Sequence, residues 1–354
     1  MSTAFFTSIK DIKNSLGLVT REFSYRSSDI VLYVPSVLRY KQIPPRPKLI
    51  VEIAEFLQED GKNVNVCLDT NKFGGWLNRL KESKDIQIID LSKDRFRRTD
   101  GIESEDGSRF IDRDNLRIPV LRELYAYSTL FKDVEIIPVV TPHPSALLLV
   151  AGVLGSFLSV VPTETRTRIL LESKTGMLAD AVIEVFSLFY QKIPYCVYDF
   201  SQTFKWSGRS KPKDTRIEEV LISKDPVTGD ALVSKIFGWP TLVSKAVRIA
   251  YDLRIGEAVD IESNLKNMCM DLIEMHRMIN DRNAYVFPFN HLHRFSIDVN
   301  SDCDKCLECT YVCPNGSIRI DQGEISINRG MCVNCYACVD ACPRFALEIT
   351  RLLF

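Results

Sequence analysis

Residues 303–314 read CDKCLECTYVCP and residues 332–343 read CVNCYACVDACP, one C-x2-C-x2-C-x3-C-P spacing written twice. A thiolate is a soft, anionic donor, and gaps of two residues let three sulfurs converge on one polynuclear centre while the backbone wraps around it. Eight cysteines in this pattern, Cys303, Cys306, Cys309, Cys313, Cys332, Cys335, Cys338 and Cys342, point to two iron–sulfur clusters. A zinc ribbon would want two pairs of ligands, not two quartets. A disulfide framework calls for an oxidising compartment and usually a signal peptide, and Met1 to Asn14 hold no apolar core of signal length.

The doubled run resembles the bacterial-type two-cluster ferredoxin domain. The resemblance implies that each run gives three ligands to one cluster and its fourth to the other. Cys303, Cys306, Cys309 and Cys342 would then hold one [4Fe–4S] cluster, and Cys332, Cys335, Cys338 and Cys313 the second. Between the runs, Ser317 to Ile320 and Glu324 to Ile327 read as a small hairpin, and Ala346 to Thr350 reads as a closing strand. A tail of roughly fifty residues buries too little apolar surface to fold well unaided, so metal binding would supply part of its folding free energy. Cys67, Cys196 and Cys269 stand singly in apolar surroundings and read as buried thiols.

Upstream, the pattern changes to alternating strands and helices. Asp29 to Leu38, Asn63 to Leu68, Ile86 to Leu91, Val134 to Val140, Tyr195 to Phe200 and Glu219 to Ser223 read as strands. Arg46 to Gln58 carries a core-facing stripe at Leu49, Ile50, Ile53, Ala54 and Leu57, with Gly61 as its C-terminal stop. Further helices are expected at Trp76 to Lys81, Pro119 to Phe131, Gly176 to Gln191, Thr241 to Leu253 and Ile261 to Arg282. Another begins at Asp225-Pro226, a capping Asp followed by Pro at the first helical position. Asp94 to Arg113 reads as an exposed loop or small hairpin. The expected fold is α/β, a mainly parallel sheet flanked by helices over residues 1–296, joined to a small α+β ferredoxin-like domain over residues 297–354.

With 354 residues, 45% apolar and 26% charged, the chain has an ordinary globular balance, and a net charge of −1 argues against whole-molecule attraction to nucleic acid. Ser145 to Val161 is uncharged but short for a membrane span and carries serines and glycines, so it reads as a buried helix. The expected setting is cytoplasmic, away from any membrane. No G-x-G-x-x-G, P-loop or H-E-x-x-H is present.

Asp199 at a strand end, followed by DPVTGDALVSKIFGW at Asp225 to Trp239, resembles the family catalogued as domain of unknown function 362, members of which are often fused to such a ferredoxin. The resemblance spans about residues 29–257 and is sharpest at Asp225-Pro226, Asp230 and Gly238. It implies an α/β iron–sulfur protein. Lysines that family members carry are replaced here by Pro35-Ser36, by Pro142 before His143, and by Gly152 to Gly155, so three cationic groups that could hold an anionic ligand are missing.

In an open parallel sheet, ligands bind beyond the carboxyl ends of the strands. The loops there carry Asp69, Asn71, His143, Asp199 and the basic stretch Ser207 to Thr215, with Arg209, Lys211 and Lys213. His143, Asp199, Arg209, Lys211 and Lys213 are the candidate ligand residues, Asp225 is expected to cap its helix, and Asp230 to be a hydrogen-bonded partner. The function expected is passage of single electrons through two [4Fe–4S] clusters to a redox partner or to a ligand at the α/β domain. The alternative is a docking module with structural clusters in a large assembly, such as one with RNA or a ribosome, with Arg209, Lys211, Lys213 and Arg216 meeting phosphates.

Overall fold

The computed structural model describes residues 4–21, 24–35, 44–68, 74–81, 86–94, 96–99, 124–145, 149–161, 169, 178–200, 220–236, 242, 244–256, 295–313, 315–332, 337–342, 344 and 346–351. In chain order, Ala4–Thr7 (β1) and Ile12–Thr20 (α1) precede Asp29–Tyr33 (β2), Pro47–Glu59 (α2), Asn63–Leu68 (β3), Gly74–Lys81 (α3) and Gln87–Asp90 (β4). Phe96–Thr99 (β5), Leu124–Tyr127 (β6), Glu135–Val140 (β7), His143–Ser145 (β8), Leu149–Ala151 (β9) and Val153–Ser156 (α4) follow. Leu178–Ser187 (α5), Cys196–Asp199 (β10), Val220–Ser223 (β11), Pro226–Ile236 (α6) and Lys245–Asp252 (α7) complete the first part. The tail runs Phe295–Val299 (β12), Glu308–Val312 (α8), Ile318–Asp321 (β13), Glu324–Ile327 (β14), Ala337–Ala341 (α9) and Leu347–Arg351 (β15).

Seven strands form one sheet in the order β1-β11-β10-β7-β2-β3-β4. The run β10-β7-β2-β3-β4 is parallel throughout, while β11 lies antiparallel to both of its neighbours. The sheet is mainly parallel and mixed at one side, as the strand–helix alternation requires. Strand order reverses direction between β2 and β7, so the switch-point crevice lies beyond Tyr33 and Val140. Pro138 sits inside β7 opposite Tyr33 and offers no N–H, and β7 pairs with β10 only from Val139 onward.

Strand side chains alternate between two packed layers, the period of two that a sheet buried on both faces imposes. Ile30, Leu32, Val64, Val66, Ile137, Val139, Tyr195 and Val197 face one layer, where α1 presents Ile12, Leu16 and Val19 and α2 presents Leu49, Ile50, Ile53, Ala54 and Leu57. Val31, Tyr33, Ile136, Val140, Cys196, Tyr198 and Leu221 face the other, with α4, α5, α6 and α7. Buried residues of the tail belong to this second cluster as well. Helix α2 ends where expected: Gly61 takes φ +75°, its N–H reaches the Gln58 carbonyl, and the Lys62 N–H reaches that of Leu57.

Two expected helices are otherwise. In Pro119 to Phe131, the described residues form strand β6, paired antiparallel with β5, and then a short 3-10 turn at Ser128–Phe131. A strand partner overrides a helical apolar spacing there. Ser145 to Val161 is not one helix either: β8 and β9 make a hairpin, Gly152 breaks the chain, and α4 plus a 3-10 turn at Phe157–Val160 carry the rest into the core. Pro142 comes just before β8 and Pro144 lies within it, and each pushes the residue before it towards extended backbone. Among the described residues, no helix is long and apolar enough to cross a membrane. The expected helix at 261–282, most of the connector before the tail, and Cys269 lie outside the described residues.

Candidate functional site

The tail is built from two like halves. Strands β12 and β15 pair antiparallel from Phe295 opposite Arg351 to Val299 opposite Leu347 and bring the ends of the tail together. Strands β13 and β14 form the expected hairpin, closed at Gln322 (φ 49°) and Gly323 (φ 83°), the left-handed pair that suits a tight two-residue turn. The third cysteine of each run, Cys309 or Cys338, is the second residue of a short helix, α8 starting at Glu308 and α9 at Ala337.

Between Cys303 and Cys309 the backbone takes left-handed conformations at Lys305 (φ 61°) and Leu307 (φ 69°). Side chains other than glycine rarely adopt that region, and such strain gathers where a loop must wrap a site. The loop borders a cavity lined by Cys303, Cys306, Cys309 and Cys342, with Leu307 and Ile325 among its apolar walls. Three cysteines of the first run and the last cysteine of the second thus face one space. Among the described residues, no three His, Cys, Asp or Glu side chains cluster as a single metal ion would need. The four thiols line one common space, where a polynuclear group could be held. Burial, reinforced by Cys306, Cys342 and Cys303 nearby, pushes the Cys309 thiol up to about 12.

An ion pair borders the same cavity. Asp304 accepts from Arg344 Nε at 2.8 Å and from the Cys306 N–H at 3.2 Å, and the Arg344 bond holds its carboxyl below the usual range. Arg344 lies just past Cys342, so the pair ties the loop bearing three thiols to the segment bearing the fourth. The last cysteine of each run also receives a backbone donor: Ser317 N–H to Cys313 Sγ and Ala346 N–H to Cys342 Sγ, both 3.2 Å. Cys332 is half-buried and Cys313 and Cys338 are buried, while Cys335 lies outside the described residues.

At the sheet's carboxyl edge, Asp199 closes β10 fully buried and is engaged from within. Its Oδ2 accepts the Arg46 backbone N–H at 2.7 Å and Arg46 Nε at 3.1 Å, with Nη2 3.0 Å from Oδ1. Arg46 caps the N-terminus of α2, so the carboxylate supplies the anion that this helix end favours. His143 opens β8 in register with Ala151. Asp69, Asn71, Arg209, Lys211, Lys213 and Arg216 lie outside the described residues, so of the five candidates geometry accounts for Asp199 alone.

Behind this edge lies a buried polar group that the sequence marked only in part. Asp230, on α6, accepts the N–H groups of Val153 (2.8 Å) and Leu154 (3.0 Å) and the Tyr198 hydroxyl (2.7 Å). Burial lifts its carboxyl to about 6. A Cβ on Gly152 would fall 2.2 Å from Asp230 Oδ1, and one on Gly229 would fall 2.3 Å from Tyr198 Oη, which explains glycine at both places. Asp225 caps α6 as expected, its Oδ1 accepting the Thr228 N–H at 2.7 Å. Partnering by Tyr198 and α4 had no signal in spacing, because the contact joins residues far apart in the chain.

Residues 296–343 match the family described as 4Fe-4S dicluster domain. Over 56 residues, 15% of the chain, it is 38% identical to electron transport protein HydN of Escherichia coli, covering 32% of that protein. Over 57 residues, 16% of the chain, it is 35% identical to a probable iron-sulfur protein of the Frd operon of Proteus vulgaris, covering 36% of it. Over 53 residues, 15% of the chain, it is 36% identical to pyruvate synthase subunit PorD of Methanocaldococcus jannaschii, covering 62% of it. The chain thus spans about a third of the length of the first two relatives. No solved structure matches it. The tail of this chain is a 4Fe-4S dicluster domain, and it is similar to an electron transport protein, a probable iron-sulfur subunit and a pyruvate synthase subunit.

Proposed function

We propose that the chain carries single electrons between a soluble redox protein and a partner or ligand served by the α/β domain. In this reading Cys303, Cys306, Cys309 and Cys342 hold one [4Fe–4S] cluster, and Cys332, Cys335, Cys338 and Cys313 hold the other. The observation that carries it is the cavity that gathers three thiols of the first run with Cys342 of the second. When bound, each cluster supplies a one-electron couple. The chain's own residues hold the thiolates apart, pin the fourth ligand through Asp304 and Arg344, and direct N–H groups at the crossing sulfurs. Exposed Cys306 places an edge of the first site at the surface, where an incoming redox protein would reach it.

The order of strands and helices from β2 to α7 also supports kinship of the α/β part with domain of unknown function 362. Whatever that part binds, the Asp199 carboxylate is engaged by Arg46. A cytoplasmic location suits reduced thiols and clusters that oxygen damages.

Iron and sulfide analysis of anaerobically prepared protein tests the reading, with about eight irons per chain expected. Stoichiometric zinc, or about four irons, would sink it. Cys342→Ala should remove the cluster of the first run and spare the second. Proteins recovered with the chain under anaerobic conditions should include a reductase or a dehydrogenase; recovery of ribosomal RNA in its place would overturn the electron-transfer role.

A further inference from the structure

The two halves of the tail differ at one buried position beside the last cysteine of each run. Ser317 stands four residues after Cys313 and Ala346 four after Cys342, and each gives its sulfur a backbone N–H at 3.2 Å. Ser317 adds a second contact: its Oγ lies 3.0 Å from Cys313 Sγ. A ligating thiolate has no proton to give, so in that state the hydroxyl is the donor. Ser317 is 3% exposed and Cys313 6%, so little water competes for the bond. Ala346 has no hydroxyl with which to do the same.

Hydrogen bonds to cluster sulfurs are one of the levers by which a protein sets a reduction potential, because a donor stabilises the more negative, reduced state. The charged side chains at the first site do not mimic this. Asp304 with Arg344, and Lys305 with Glu324, are ion pairs whose charges cancel.

Resting on the crossed ligand sets proposed above, we propose that the Ser317 hydroxyl tunes the cluster that Cys313 helps to hold, raising its reduction potential above what the backbone N–H alone would give. In the step concerned, one electron arrives from a one-electron donor, dithionite in the test, and no bond is made or broken. Negative charge on Cys313 Sγ grows and the Ser317 O–H dipole stabilises it. The effect biases an incoming electron towards the second half of the tail.

The test is an anaerobic redox titration of the full chain, followed by electron paramagnetic resonance, for wild type, Ser317→Ala, Ser317→Thr and Ala346→Ser, each with its iron counted. Ser317→Ala should lower one of two midpoint potentials and leave the other in place. Ser317→Thr, which keeps the hydroxyl, should stay near wild type. Ala346→Ser should raise the potential that Ser317→Ala left alone. If Ser317→Ala holds full iron and neither potential moves, or if both alanine-and-serine exchanges move the same one, the inference is overturned while the two-cluster reading stands. Should Ser317→Ala lose iron, Ala346→Ser decides, and an unshifted pair of potentials there overturns it. Iron well below about eight in wild type instead defeats the ligand assignment itself.

Discussion

At Asp230 one carboxylate accepts three donors, from two backbone N–H groups and a tyrosine, inside the core. Asp230→Ala should cost ~3 kcal/mol or more in denaturant unfolding, since buried donors left without acceptors each cost about 1–3 kcal/mol. Gly152→Ala drives a methyl against the same carboxylate and should cost ~2 kcal/mol. Combined with Asp230→Ala it should cost less than the sum, because the atom it strikes is gone. Burial raises the Asp230 carboxyl from 3.8 to about 6, so the folded state holds that proton more tightly than the unfolded chain. Its contribution to stability is therefore largest below about pH 4 and declines as pH rises to about 6. The advantage of wild type over Asp230→Asn should shrink across that window, and an advantage that grows with pH would contradict the assignment. Burial likewise pushes the Cys67 thiol up to about 12 and Cys196 well above its ordinary value, so both should resist thiol reagents until the chain unfolds.

Among the elements, the apolar segment Ser145 to Val161 is the most informative, because a helix was expected and its described residues form the hairpin β8–β9, the short helix α4 and a 3-10 turn. What survives of the expectation is burial: Leu154 is 1% exposed, in a layer shared with Tyr33, Phe157 and Phe186. Leu154→Lys should cost several kcal/mol, of the order of 3–5, because an unpaired charge cannot be solvated at that depth. Thermal unfolding of the variant measures it, and a near-native midpoint would show that the segment is less tightly held than its burial indicates. By contrast α2 was legible along its length: its stripe and Gly61 are local signals, and local signals suffice when the element's neighbours agree with them. Strand β6 failed the same test because its strand character comes from β5, its partner across the pair.

In the molecule as a whole, a sheet with two well-filled faces is joined in sequence to a tail whose described interior is largely cysteine, valine, alanine and isoleucine. Removing iron with a chelator should therefore abolish amide-exchange protection in β12 and β15 while β2 and β7 keep theirs, since metal binding and folding are one process in a small cluster domain. Equal loss in both would mean that the sheet depends on the tail for its stability. The cysteine spacing by itself determined the dicluster domain and the set of candidate ligands, because three sulfurs two residues apart can reach a common centre, and the residues between the runs determined the hairpin. The period-two and helical apolar patterns likewise determined a mainly parallel α/β sheet. Only the tertiary structure decided that Asp199 is spent on Arg46, that Asp230 grips α4, and that Asp304 and Arg344 tie the loop of the first run to the segment after Cys342. These are meetings between residues distant in the chain, and no local pattern encodes a partner that folding alone brings within hydrogen-bonding distance.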